Sequence, residues 1–351
     1  MGLRRRLVRF ALAQPRVLLV VAPDGAALAR QVESVLLRRG WPPATSPADT
    51  DLLVVAGAPG PELAAAVEVL WAQVPAPRAS ARLTAGDDVG VALDGAAEAL
   101  QAWDAQRTRA GAADGDPWLG RGPEPEEGHG GHEGHEGGHE GHEGGHEGHE
   151  GHDEGGHGGH GSMLVAGLPM ASSAPDRDGL ELETLSLTLG PWMPGAPDGL
   201  LVQAAMQGDV LTELHVRWAD TGPGPLPERP VRALDAICRV LTLSGPERLL
   251  GRARRVRDAV VQHQPSGADG AVRLGRDLRR SRTLAWSLRG IPAPGGGDVL
   301  DRLVAWCDVL DGAAPPAAAD PATVAAALDG SELAGARLAV ACVDVGPGEP
   351  R

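Results

Sequence analysis

Ten of the chain's twelve histidines fall in one stretch: His129, His132, His135, His139, His142, His146, His149, His152, His157 and His160. Neutral imidazole is a ligand for zinc, nickel and copper, and the interleaved Glu133, Glu136, Glu140, Glu143, Glu147 and Glu150 add charge that attracts a cation. Glycine beside most of these histidines imposes no coordination geometry. The stretch is therefore expected to take up nickel or zinc weakly and at several overlapping sites. Composition leaves two readings open, a metal buffer and a passive linker.

Outside this tract the chemistry is sparse. Lysine is absent from the 351 residues, which removes Walker A loops, lysine Schiff bases and Ser/Lys pairs. No GxSxG or CxxCH occurs, so no catalytic residue is expected from these motifs. Cys238, Cys307 and Cys342 stand far apart without a CxxC. That pattern suits small core residues in a reducing compartment and gives neither a disulfide framework nor a cluster signature. No tightly bound cofactor is expected, and no iron-sulfur cluster in the isolated chain. His215 and His263 lack partner motifs and read as surface or satisfied residues. Eleven arginines crowd Arg248 to Arg289 against Asp258, Asp269 and Asp277, with Trp286 as the only aromatic. A chain without lysine must use arginine for every solvated face and ion pair, so this cluster reads as a solvated or subunit-contacting face rather than a nucleic-acid surface.

The tract also divides the chain. Residues 124–160 carry eleven acids and no arginine, so most of the net charge of −15 belongs there. With no apolar side chain to bury, a linker over 121–165 is expected to be disordered. Before it, residues 1–120 read as an α/β domain, a small parallel sheet with helices. Arg16 to Val21 is a short apolar run, Pro23-Asp24-Gly25 a turn, and Ala27 to Leu37 a helix of period 3.6. Asp51 to Ala56, the turn Gly57-Ala58-Pro59-Gly60 and the helix Glu62 to Trp71 repeat the unit. A third unit runs from near Arg78 into Val91 to Trp103. The Gly57 and Gly60 turn is a weak phosphate-cradle candidate and fits a tight βα loop better.

After the tract, residues 166–351 read as an α+β domain, a β-hairpin followed by helices. Leu182 to Leu189 alternates like a strand, and Gly199 to Met206 with Val210 to Trp218 bracket Gln207-Gly208-Asp209 as a hairpin. Helices are expected over Val231 to Leu243, Pro246 to His263, Ala271 to Arg289, Val299 to Leu310 and Pro321 to Leu328, and a closing strand over Ala336 to Val343. Arg4, Arg5 and Arg6 precede apolar residues as in a signal peptide, but Arg9, Pro15 and Arg16 interrupt any apolar region. No segment reaches the length of a membrane span. A cytoplasmic protein is expected.

Three segments carry a family resemblance. Ala48 to Arg78 resembles the small iron-sulfur subunit of respiratory NADH-quinone oxidoreductase (complex I), through Asp51, Val54, Ala56, Gly57, Gln73, Pro75, Pro77 and Arg78. Where that family places cluster cysteines, this chain has Ala22-Pro23-Asp24 and Thr84-Ala85-Gly86. Leu189 to Val210 resembles the start of the large, hydrogenase-like subunit, whose GPxHPxxHG motif opens a hairpin. Gly190, Pro191, Pro194, Gly199 and the Gly208 turn match, while Met193 and Pro197 stand near the family's two histidines, one of which reaches toward the quinone headgroup. Cys342 to Arg351 is similar to that subunit's closing segment through Asp344, Gly348, Glu349 and Arg351, and Asp277 to Leu288 is faintly similar to one of its helices.

The resemblance implies a fused, degenerate relative of two subunits that contact each other, lacking the cluster and quinone ligands. The implied role is a non-catalytic or accessory subunit of a complex I-like or hydrogenase-like assembly, without nucleic acid and reaching the inner face of the cell membrane only through its partners. A His-rich nickel- or zinc-handling protein is an alternative, as is an oxidoreductase subunit that borrows cofactors from its partners.

Overall fold

The computed structural model describes residues 12–102, 181–220 and 225–344 throughout, together with residues 10, 105, 106, 108, 164–165, 168–169 and 172–175. By contacts the chain divides into two compact units, Met1–Gly111 with Ser172–Arg351, and Ala112–Ala171. The α/β and α+β parts thus belong to one unit. In the other, β4 (Leu164–Val165) pairs antiparallel with β5 (Leu168–Pro169).

The first part alternates strands and helices: β1 (Val17–Val21), α1 (Ala26–Arg39), β2 (Leu52–Ala56), α2 (Pro61–Gln73), β3 (Ala79–Leu83) and α3 (Val89–Gln101). The strands form a parallel sheet in the order β1-β2-β3, with Val17 opposite Leu52 and Leu52 opposite Ala79. Central β2, LLVVA, is buried along its whole length, as a strand covered on both faces must be. Its alternate residues serve different layers. Leu52 and Val54 join Val32 of α1 and Leu93 of α3, whereas Leu53 and Val55 join Leu63 and Val67 of α2.

The second part opens with an antiparallel sheet in the order β6-β7-β8-β9, comprising β6 (Ser172–Pro175), β7 (Glu181–Leu189), β8 (Leu200–Gln207) and β9 (Val210–Trp218). The expected hairpin, β8 with β9, is therefore one side of a wider sheet. Gly208 turns it at a φ of 61°, a left-handed value that costs glycine nothing. Next come α4 (Arg229–Ser244), α5 (Glu247–Val261), α6 (Pro265–Arg280), α7 (Arg282–Leu288), α8 (Val299–Leu310), α9 (Pro321–Leu328) and α10 (Leu333–Ala341). Leu234, Ile237 and Leu241 of α4 centre the helical core with Leu274, Leu278 and the fully buried Trp306.

Two expectations are corrected. The run Ala336 to Val343 is not a closing strand, because its residues belong to α10 and the turn after it. Ala336, Ala339, Val340 and Val343 bury one helical face against the sheet core of Leu200, Val202 and Leu211, a spacing of three and four that a strand cannot present to one side. The helix expected over Ala271 to Arg289 is two helices. Its break falls at Ser281, whose hydroxyl accepts the N–H of Leu284 and caps α7.

Candidate functional site

The two parts of the compact unit are tied at three places. Trp192, in the 190–199 loop between β7 and β8, packs on the α2 side of the parallel sheet with Leu18, Val20 and Ala44. Asp220, just after β9, accepts the backbone N–H groups of Glu62 (3.0 Å) and Leu63 (3.4 Å) and so caps α2 from a residue 158 positions away. Arg217 grips Glu62 with both terminal nitrogens. The first turn of α2 is thereby closed to a phosphate: a carboxylate already occupies its free amides, and a Cβ on Gly60 would overlap that carboxylate. Replacing Asp220 with alanine is expected to lower stability by about 1 kcal/mol, the usual size of an N-cap loss, read from a urea-denaturation midpoint.

The third tie is a chain of buried charges. Arg30 of α1 donates to Asp235 of α4 at 2.9 Å. Arg257 of α5 donates to Asp235 at 3.1 Å and to Glu33 of α1 at 2.7 Å. Arg254 closes the series on Glu33 at 2.7 Å. Arg30 and Glu33 lie three residues apart on α1, as do Arg254 and Arg257 on α5, so each helix presents its pair on one face. Burial by itself would raise the pKa of Glu33, but the Arg257 and Arg254 guanidinium groups hold it below the usual carboxylate value. For Arg257 burial works against the charge, and the Glu33 and Asp235 carboxylates outweigh it, so its pKa is raised.

Beside this chain lies a cavity of about 270 Å³ whose walls come from β1, α1, the 190–199 loop, α4 and α5. Val17, Leu19, Trp41, Trp192 and Met193 make an apolar side; Arg30, Glu33, Asp198, Asp235, Arg239, Arg254 and Arg257 make a charged one. Asp198 is half-buried and lines the cavity. Burial pushes its carboxyl up to about 6, with Asp235 and Glu33 adding to the rise and Arg239 and Arg30 opposing it. Arg239 donates to the carbonyls of Ala341 (3.1 Å) and Val343 (2.9 Å), which fixes it at the C-terminal end of α10.

The residues singled out by the sequence divide differently. All ten tract histidines, His129 to His160, lie outside the described residues, as do Gly348, Glu349 and Arg351. Among the described residues, no group of three or more His, Cys, Asp or Glu side chains is arranged to hold a metal ion. His215 and His263 are exposed and do not line the cavity. The three cysteines are buried in the helical core, and burial pushes the thiols of Cys238, Cys307 and Cys342 each to about 12, so they stay protonated. Ala22-Pro23-Asp24 and Thr84-Ala85-Gly86 come together with Gly57 at the carboxyl edge of the parallel sheet, where their polar groups serve the turns: Asp24 accepts from Ala58 at 2.9 Å, and Thr84 donates to Asp87. Asp51 accepts from the Arg16 backbone at 2.8 Å, and Arg78 stacks on Trp71 at 4.5 Å. Asp344 is buried and gripped by Arg232.

Within the arginine cluster, Arg254 and Arg257 face the other half of the molecule, Arg252 pairs with Asp277, and Arg279 pairs with Asp308 and Asp311. Motif searching passed over Arg30, Glu33, Asp198, Asp235 and Arg239 because they belong to no short pattern. Charged pairs at helical spacing within apolar faces, Arg30 with Glu33 and Asp235 with Arg239, were the signal available.

No helix among the described residues is long and apolar enough to cross a membrane. No family model matches the chain, and neither a curated protein nor a solved structure does.

Proposed function

We propose that the chain is a non-catalytic, accessory subunit of an assembly like NADH-quinone oxidoreductase, a fusion of two pairing surfaces that does not itself transfer electrons. The observation that carries this reading is the seat of the 190–199 loop. The segment resembling the large subunit's opening motif packs, through Trp192, on the α/β part that resembles the small subunit. Two charged ties between the same parts reinforce it, Arg217 with Glu62 and Arg257 with Glu33. Protonated, buried thiols at all three cysteines also support it, since cluster ligation requires accessible thiolates.

Affinity purification of the full chain from its own cells, after mild solubilisation of membranes, tests this. Subunits of a quinone-reducing or hydrogenase-like complex should co-purify in fixed proportion. Recovery of the chain alone would overturn the reading, and recovery with metal-transport or maturation proteins would favour the alternative, a nickel- or zinc-handling protein.

That alternative rests on the ten tract histidines, and titration separates the two. The full chain should bind more than one Ni²⁺ or Zn²⁺ weakly, with affinity falling steeply as pH drops through about 6, because each ligand must lose a proton. A chain lacking 128–161 should lose this uptake while changing in stability by only about 1 kcal/mol, the scale of a loop-closure difference. Equal uptake by both chains would remove the tract from metal handling.

A further inference from the structure

The cavity has two chemically different sides and an unmet hydrogen-bonding demand. Four arginines against three carboxyl groups leave it an excess of positive charge even with every acid ionised. The side chain of Arg257 is only 3% exposed, yet its Nε–H has no hydrogen-bond acceptor, the Asp258 carboxylate standing off at 3.9 Å, and the Nε–H of Arg254 is likewise buried without an acceptor. Arg254 and Arg257 both line the cavity. A buried N–H of a charged group without an acceptor is costly, and the carboxylates of Glu33 and Asp235 are already engaged by the terminal nitrogens of these arginines. The same cavity is lined by Trp41, whose ring Arg39 stacks on at 4.9 Å, and by Trp192 and Met193, which together supply aromatic and thioether surface suited to an apolar body.

We propose that this cavity binds a small amphipathic carboxylic acid, its carboxylate accepting from Arg254 and Arg257 and its apolar body lying against Trp41, Trp192 and Met193. An inorganic anion satisfies only the charged side, and a neutral ring compound only the apolar side. A carboxylate on an apolar body meets both demands and offsets the charge excess. This site does not depend on the accessory-subunit reading, and failure to recover partners would leave it untouched.

Proton linkage gives the site a second signature. The charged and titratable groups around Asp198 are Arg30 and Glu33 on α1, Arg232, Asp235, Cys238 and Arg239 on α4, Arg254 and Arg257 on α5, and Asp344 after α10, the last paired with Arg232. A bound anion adds negative charge beside the Asp198 carboxyl and favours its protonated form, so binding should take up a proton and strengthen as pH falls through about 6.

Calorimetric titration of the full chain with 2-naphthoate, 2-naphthamide and inorganic phosphate tests the proposal. Naphthoate should bind at least about tenfold more tightly than the amide, as expected for a charge-assisted bond, and more tightly than phosphate. Asp198→Asn should remove the pH dependence below 7 and leave naphthoate bound. Met193→Trp, which fills the apolar side and keeps all seven charged groups, should abolish binding. Arg254→Gln should equalise acid and amide. Equal affinity for acid and amide in the wild-type chain would overturn the proposal. So would no naphthoate binding at millimolar concentration, phosphate binding alone, or a neutral benzoquinone binding in place of the acid.

Discussion

Replacing Arg257 with methionine should remove about 3 kcal/mol of stability, the lower end of the cost of breaking a buried ion pair. Its guanidinium is the only one that reaches both Glu33 and Asp235 among the described residues. Methionine fills most of the space, so the loss measures charge rather than volume. The lower end applies because each acid keeps another partner, Glu33 with Arg254 and Asp235 with Arg30. Urea denaturation followed by tryptophan emission reads the loss directly. Adding Glu33→Gln in the Arg257→Met background should lower stability further, since Arg254 then loses its carboxylate partner. A midpoint unchanged by the single substitution would mean that the network contributes nothing net.

Replacing Asp198 with asparagine should do the opposite and stabilise the protein at neutral pH. The folded carboxyl is raised from 3.8 to about 6, so between those values the unfolded chain has already released a proton that the folded chain still holds. Stability from this group is therefore fully present below about pH 4 and lost as pH rises through about 6. The loss at pH 7.5 is on the order of 2 kcal/mol after allowing for solvent in the cavity. Glu33 has the reverse sign: its folded pKa lies below its unfolded value, so its contribution is present above about pH 4.5 and fades on acidification through that lower value. Denaturation midpoints from pH 4 to 8 should converge for wild type and Asp198→Asn at the acid end, draw apart between about 4 and 6, and keep that gap above 6. Parallel curves would rule out the linkage.

Much of the fold was legible because apolar runs and turn residues agreed. VLLVV before Pro23-Asp24-Gly25 and LLVVA before Gly57-Ala58-Pro59-Gly60 became β1 and β2, and Gly208 turned the hairpin where expected. The failures came where local pattern is indifferent. ARLAVACV is an apolar run that either period accommodates, and the identity of its packing partners decided for helix. Strand β6, SSAP, has no apolar signal and exists because β7 offers it an edge. The cavity was less visible still. Its charged groups come from distant helices and the loop before β8, and only the arginine excess around Arg254 and Arg257 hinted at a contacting face.

The hydrogen bonds of Arg217 with Glu62 and of Arg257 with Glu33 join residues 155 and 224 positions apart, across a tract that supplies none of the described ties. Physically the association of the two halves is a first-order process. Each half meets the other at an effective concentration set by the connecting chain and not by the cell's supply of either. Expression level therefore drops out of the pairing, and a surface that would dissociate on dilution as two polypeptides stays assembled in one. Such an interface can tolerate weakening substitutions that a separate pair of subunits could not, which leaves its residues freer to change than those of a complex held together by affinity alone.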